Sequence, residues 1–218
     1  MTPESTEQLM SQANKLSVRR FVSSFLECNL YLLENDLGEV IIDPCVPYGV
    51  VYGNRNARIE AIIITHCHFD HIHEISSYLE KTSCPVYMHA NGVDKLEDPR
   101  KNASALLGLE LKFQVPEERI IAITGDGVHK LLGTEFYFLE TPGHSDCSLS
   151  VLTGGNLFTG DTLFRGSVGR TDLETSDHET LKKSLDKLLS LGDYPVHPGH
   201  SAPTSLARER ALNPYLRR

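Results

Sequence analysis

"AIIITHCHFDHIHE", residues 61–74, sets an unbroken apolar run against four histidines and an aspartate crowded into eight positions. The run lies in "RIEAIIIT", which reads as a buried strand, and "FDHIHEISSYLE" has the spacing of a helix, with Ile72, Ile75 and Leu79 on one side. His66, His68, Asp70 and His71 then fall on the turn between strand and helix, where a rigid scaffold can aim several side chains at one point. Imidazole nitrogen and carboxylate oxygen are good donors to Zn²⁺, Fe or Mn. The lack of well-spaced cysteines speaks against a structural thiolate site. The plain alternative is a hydrogen-bonded polar turn. It would bury imidazoles and a carboxylate that each need a partner, which is costly.

A catalytic metal usually takes three protein ligands and a water, so four donors in one turn exceed the needs of one ion. More donors stand downstream. "ETPGHSDCS" supplies His144, "LFTGDTLF" supplies Asp161 and "VHPGHSAP" supplies His200, each after an apolar strand and a Gly or Pro-Gly turn. With the first cluster they make five histidines and two aspartates, enough for two metals sharing one carboxylate. His73, two past His71, is expected to point elsewhere, at the surface, and His197 to yield to His200, which follows the glycine turn. His89, His129 and His178 sit in ordinary strand, turn or helix contexts, and strand-end alternation turns Cys67 away. Asp146 is expected either to orient a ligand histidine or to cap nearby N–H groups.

Outward from these motifs, apolar runs come in pairs joined by turns. "FVSSFLECNLYLLE" and "GEVIIDP" flank "NDLG", "HKLLG" leads into "TEFYFLE", and "CSLSVL" and "NLFTG" flank "TGG". Each pair predicts an antiparallel hairpin. "SDHETLKKSLDKLLSL" predicts a helix opened by the capping pattern Ser176-x-x-Glu179 and striped by Leu181, Leu185, Leu188 and Leu189, and "SLARERAL" a last helix stopping before Pro214. Mixed sheets with helices packed outside them follow, in one domain over 19–218, preceded by a polar extension, 1–18, whose first ten or so residues are expected to be disordered. The 218 residues, 40% hydrophobic, suit one such domain. No stretch approaches the roughly 20 apolar residues of a membrane span, and the start lacks the basic and apolar regions of an export signal. Five cysteines without a CxxC pair fit free thiols in a reducing cytoplasm. A net charge of −8 disfavours nucleic acid as a partner, and the basic "RERALNPYLRR" reads as a solvated helix face.

The order HxHxDH, TPGHS, GD, GH, together with "IIDP", resembles the metallo-β-lactamase superfamily over nearly the whole chain from about residue 19. "GDTLFRGSVGRTDL", "HPGHSAPTSLARERALNPYL" and "DPRKNASALLG" are similar to segments of the short glyoxalase II-like hydrolases. The resemblance implies a mixed α/β fold, an αββα sandwich with its site at one edge between the sheets. It implies His66, His68 and His144 on one metal, Asp70, His71 and His200 on the other, and Asp161 bridging. It also gives Asp70 a catalytic place, Asp43 a supporting one behind the ligands, and Arg170 a contact to substrate. For Arg170 the competing expectation is an ion pair within "GRTD".

Two divalent cations, zinc foremost and iron or manganese as alternatives, bring four positive charges, of which Asp70 and Asp161 remove two. A bridging hydroxide leaves the centre at roughly +1 and serves as the nucleophile, because paired metals lower the pKa of water toward about 7. The activity implied is hydrolysis of a small-molecule acyl thioester, hydroxyacylglutathione included. Asp172 and Ala202 stand where longer glyoxalase II enzymes carry tyrosines, and those enzymes' extra helical domain has no counterpart in this sequence, so dependence on glutathione is expected to be weak. The rivals are a one-iron persulfide dioxygenase, which shares HxHxDH and GRTD but lacks the last GH histidine, and another hydrolase of this fold such as a lactonase.

Overall fold

The computed structural model describes residues 15–216. Residues 1–14 of the expected extension lie outside them, and the first strand, β1, already begins at Ser17, two residues before the expected start of the domain. β1 (Ser17–Val22), β2 (Asn29–Asn35), β3 (Gly38–Ile42), β4 (Ile59–Ile63), β5 (Val86–His89) and β6 (Ile120–Ile123) form one sheet in that order. The first three pair antiparallel and the last four parallel. A second sheet holds β7 (Gly127–Leu131), β8 (Thr134–Glu140), β9 (Leu149–Thr153), β10 (Asn156–Gly160), β13 (Pro195–Pro198) and β14 (Thr204–Ser205), ordered β14-β13-β10-β9-β8-β7. β11 (Leu163–Phe164) and β12 (Ser167–Val168) form a small separate hairpin.

Alternation along the strands builds the layers. Tyr31, Leu33, Val40, Ile42, Ala61 and Ile63 of the first sheet face Phe136, Phe138, Leu149, Val151 and Phe158 of the second. The intervening residues Leu30, Leu32, Ile41, Ile62 and Ile64 pack outward beneath α1 (Tyr48–Tyr52), α2 (Phe69–Ile72) and α3 (Ile75–Leu79). "AIII" reads as unbroken apolar sequence because β4 and the residue after it are buried on both faces. Leu157 and Val196, on the outer face of the second sheet, meet Leu181, Leu185 and Leu188 of α4 (His178–Leu189) and Leu206 of α5 (Leu206–Leu212). The result is helix, sheet, sheet, helix.

Three local expectations need correction. "FVSSFLECNLYLLE" is two strands, not one: Leu26 and Glu27 both take φ 54°, and the Ser23 amide donates to the Cys28 carbonyl (2.8 Å), folding residues 23–28 into a tight turn. The helix expected over residues 70–80 is broken into α2 and α3, because the Glu74 amide donates to the Pro44 carbonyl (3.2 Å) rather than within a helix. Tyr78, not Leu79, fills the buried position in the second piece. The cap of α4 is Asp177, whose Oδ1 accepts from the Thr180 amide (2.7 Å), while Ser176 Oγ turns back to Leu173. Asp177→Ala is therefore expected to lower stability by about 1 kcal/mol in urea unfolding, with Ser176→Ala costing less. Among the described residues no helix is long and apolar enough to cross a membrane.

Candidate metal centre

Strand direction collects the donors. β8 and β10 are both antiparallel to β9, and β13 is parallel to β10, so all three end at the same edge of their sheet. The loops beyond them carry His144, Asp161 and His200. β3 and β4 are parallel, and beyond their ends lie Asp43 and the His66–His71 turn. The Leu149 amide donates to the Thr65 carbonyl (2.8 Å), stitching the two sheets together beside the turn. The ligand loop after β13 is clamped to the first sheet. Asn29 Nδ2 donates to the carbonyls of Pro198 and Ser201 (both 2.9 Å), and the Tyr31 hydroxyl donates to Pro198 (2.8 Å).

All seven expected ligands meet at this edge. His66, His68 and His144 form a tripod: their ring centroids lie 4.7, 4.6 and 4.9 Å apart and every pair of rings is near perpendicular. His68 Nδ1 is 3.1 Å from His66 Nε2 and 2.9 Å from His144 Nε2. Ligands about 2.0–2.1 Å from a tetrahedral zinc would stand about 3.4 Å apart, close to this spacing. A second group adjoins it. His200 Nε2 lies 3.1 Å and His71 Nε2 3.9 Å from Asp70 Oδ2. Asp161 reaches both groups, 3.5 Å from His144, 3.2 Å from His71 and 3.6 Å from His200.

The atoms that face inward fit a cation. His71 Nε2 and Asp161 Oδ1 are buried and, close as they are, form no hydrogen bond. Buried polar atoms seldom remain unpaired in native proteins, and a metal ion between nitrogen lone pair and carboxylate satisfies both. The outward nitrogens of His144 and His71 are held. His144 Nδ1 donates to the Arg170 carbonyl (3.0 Å), leaving Nε2 as the free donor to a metal. His71 Nδ1 bonds Asp43 Oδ2 (2.8 Å), and Asp43 also accepts from the Thr65 amide and hydroxyl (2.8 Å each). Asp43 occupies the left-handed region (φ 54°), a strain that these three bonds hold in place.

Electrostatics set the protonation states a metal would meet. Burial first, and then neighbouring imidazoles, hold His66 well below its usual range and bring His68 down to about 3; burial also lowers His144. These rings are neutral donors. Burial alone would raise Asp161, but His71, His200 and His144 override it and keep the carboxylate well below the usual range. Burial likewise opposes a charge on His71, yet Asp161, Asp43 and Asp70 raise it well above an ordinary histidine, so without a metal its proton is retained.

The remaining expected residues are placed as follows. His197 stacks on Phe158 (4.8 Å, 19°) between the sheets, away from the site. Cys67 is buried against Cys147 and points away from the ligands. His73 is half-buried rather than a surface group, its Nδ1 donating to the Asp70 carbonyl (3.0 Å). Asp146 neither orients a ligand nor caps the turn: it pairs with buried Lys95 (3.0 Å). Arg170 lines the cavity over the centre, but its guanidinium is held bidentate by Asp172 (2.6 and 2.7 Å). Its backbone carbonyl, on His144, is the group that touches the site. Sequence reading passed over Thr65, which holds Asp43; Asn29 and Tyr31, whose side chains hold the backbone of the His200 loop; and Cys28, whose sulfur lies within 4.8 Å of nitrogens of His71 and His200. Burial and then Cys45 push the Cys28 thiol well up, so it remains a protonated, poor ligand.

Close packing explains the glycine of "PGH". A Cβ on Gly199 would sit 2.2 Å from Asp161 Oδ1 and 2.5 Å from His71 Cε1. Gly199→Ala is expected to displace both side chains and lower the bound metal by about one ion per chain, read by elemental analysis, with far-ultraviolet circular dichroism unchanged.

Fold and donor set define a histidine-rich metal site in a known architecture. Residues 24–200 match the family described as the metallo-beta-lactamase superfamily, and the chain belongs to it. It is 35% identical over 214 residues to the probable metallo-hydrolase YqgX of Bacillus subtilis, covering 91% of this chain and 96% of that one. Two crystal structures share the fold closely. BLEG-1 B3 metallo-beta-lactamase has TM-score 0.86 and 32% identity, covering 92% of this chain and 99% of the other. TTHA1623 in a di-iron-bound form has TM-score 0.80 and 34% identity, covering 91% and 100%.

Proposed function

We propose that the protein is a two-metal hydrolase of small acyl thioesters, glyoxalase II-like in its chemistry. In this reading His66, His68 and His144 hold one ion, Asp70, His71 and His200 hold the other, and Asp161 joins them. The observation that carries it is the position of Asp161, within 3.6 Å of imidazoles from both groups. The probable metallo-hydrolase among the similar proteins supports metal-dependent hydrolysis, and the di-iron-bound structure supports a centre for two metals. Zinc suits five imidazoles and two carboxylates, and iron and manganese suit them nearly as well.

When bound, such ions supply hydroxide at neutral pH and stabilise the oxyanion of the attacked carbonyl. The chain's own residues hold and exclude. Asp43 fixes the ring of His71, the Arg170 carbonyl fixes that of His144, and Asp70, which contacts both the cavity and His200, borders the reacting carbonyl. The oxygen of water ends on the acyl carbon, the C–S bond breaks, and sulfur leaves with the electron pair. A thiolate, with a thiol pKa of about 8.5, leaves without a proton, whereas an amine or alkoxide needs one. The cavity suits that difference: its titratable groups are the donor histidines and aspartates and the already paired Arg170, so no free acid stands ready. Five free, buried cysteines suit a reducing cytoplasm. Neither a nucleic acid nor a membrane enters the reaction.

The test is a metal count on the purified protein together with a substrate panel: lactoylglutathione, acetyl thioesters, a lactone, a cephalosporin β-lactam and glutathione persulfide with oxygen uptake. About two ions per chain and chelator-sensitive thioester cleavage are expected. A fully active sample with one iron that consumes oxygen on persulfide would overturn the proposal. Cleavage of the β-lactam in preference to thioesters would do the same.

A further inference from the structure

The wall of the cavity is apolar where the floor is ionic. Around the donors His68, Asp70, His144, Asp161 and His200 stand Leu26, Phe69, Ala103, Leu106, Leu107 and Leu173, enclosing about 310 Å³. Leu106 is 64% exposed, Leu107 53% and Leu26 47%, so a cluster of large aliphatic side chains is held in water at the mouth of a polar centre. Scattered exposed leucines need no explanation, but leucines gathered round one cavity mark a binding surface. The loop that carries them is built in place. The Phe69 amide donates to the Asn102 carbonyl (2.9 Å), which ties the loop to the ligand helix α2. The fully buried Asn102 side chain accepts from Ser104 (3.0 Å) and donates to Leu111 (2.9 Å). Ala103 takes φ 64°, a strained turn that sends the 3-10 segment Ser104–Leu107 over the cavity.

We propose that this wall receives an apolar acyl chain, and that the protein prefers thioesters of unbranched aliphatic acids over short or hydroxylated ones. The inference rests on the thioester reading above and names its substrate class. An acyl chain begins at the carbonyl, which must lie over the donors. Phe69, between His68 and Asp70 in sequence, is the apolar side chain nearest that point along the chain, with Ala103, Leu106 and Leu107 continuing outward. No free charge on the wall could pair with a carboxylate on the chain, because Arg170 is already held by Asp172. Arg170, which lines the same cavity and is itself exposed, gives the leaving thiol a polar side.

The test uses the metal-loaded protein and two series: acetyl to octanoyl thioesters of one small thiol, and acetyl thioesters of ethanethiol to octanethiol. In the acyl series kcat/KM is expected to rise about threefold per methylene, or roughly 80-fold from butanoyl to octanoyl. The thiol series should stay nearly flat. Leu106→Ser with Leu107→Ser, both on the surface, should reduce the acyl slope to less than about twofold per methylene at unchanged metal content. Calorimetric binding of octanoate against butanoate reads the same preference without turnover and should show it lost in the double variant. A flat acyl series with brisk acetyl hydrolysis would overturn the inference and leave the hydrolase reading standing. A slope confined to the thiol series would also overturn it, as would leucine variants that change only sedimentation, which would make the rim a contact between two copies. No thioester cleavage, with octanoate still preferred, would instead sink the reaction and keep the apolar site.

Discussion

Asp161→Asn is expected to reduce the bound metal from about two ions per chain to at most one, and to lower thioester kcat/KM about a thousandfold or more, some 4 kcal/mol. The substitution keeps the shape of the side chain and removes its charge, so it tests charge and ligation rather than packing. Asp161 is the acidic group on which imidazoles from three segments converge: His71, His144 and His200 lie 3.2, 3.5 and 3.6 Å away. Burial opposes its charge and those imidazoles sustain it, so the carboxylate is an integral part of the centre. Without it, two divalent ions would face only Asp70 and their mutual repulsion would go largely uncompensated in a buried site. His144→Ala, which removes a donor from one group alone, should cost less. Elemental analysis and kcat/KM on the same preparations give the comparison. An Asp161→Asn protein with two ions and activity within tenfold of the parent would show that the carboxylate does not bridge.

The turn at 66–71 was legible because its donors are neighbours in sequence and follow an apolar run whose burial on both faces places them at a strand end. The three distant donors were legible for a related reason: each follows a strand and a Gly turn, and the topology brings the ends of β8, β10 and β13 to one edge. Groups that act through their backbone were not. Arg170 drew notice for its guanidinium, yet its carbonyl is what reaches His144, and residue type carries no sign of that. Asp146 could not be placed because its partner, Lys95, lies 51 residues away. The break at residues 23–28 depends on the pairing of Cys28 and Asn29 with the loop at Gly199 and His200, on the other sheet. The leucine rim was also hidden. Periodicity reports which residues are buried, and Leu106 and Leu107 stand out in the structure because they are not.

His200→Ala separates the two-metal hydrolase from its one-iron rival. His200 reaches the centre from the loop after β13, with its side chain still partly exposed, so the variant should fold as the parent does. Its neighbours are Asp70 at 3.1 Å and Asp161 at 3.6 Å, whereas the tripod of His66, His68 and His144 owes it nothing. One ion should therefore remain on the tripod while the other group, reduced to His71 and Asp70, empties. Thioester hydrolysis should fall by about a hundredfold or more, because losing the second cation removes a large share of the stabilisation of developing negative charge. Added Zn²⁺ at high concentration should restore part of the activity, since two donors of that group are intact, and the concentration required measures the affinity lost. Should the protein instead be a one-iron oxygenase working on the tripod side, His200→Ala would keep its iron and its oxygen uptake on persulfide, and thioesterase activity would be missing from variant and parent alike.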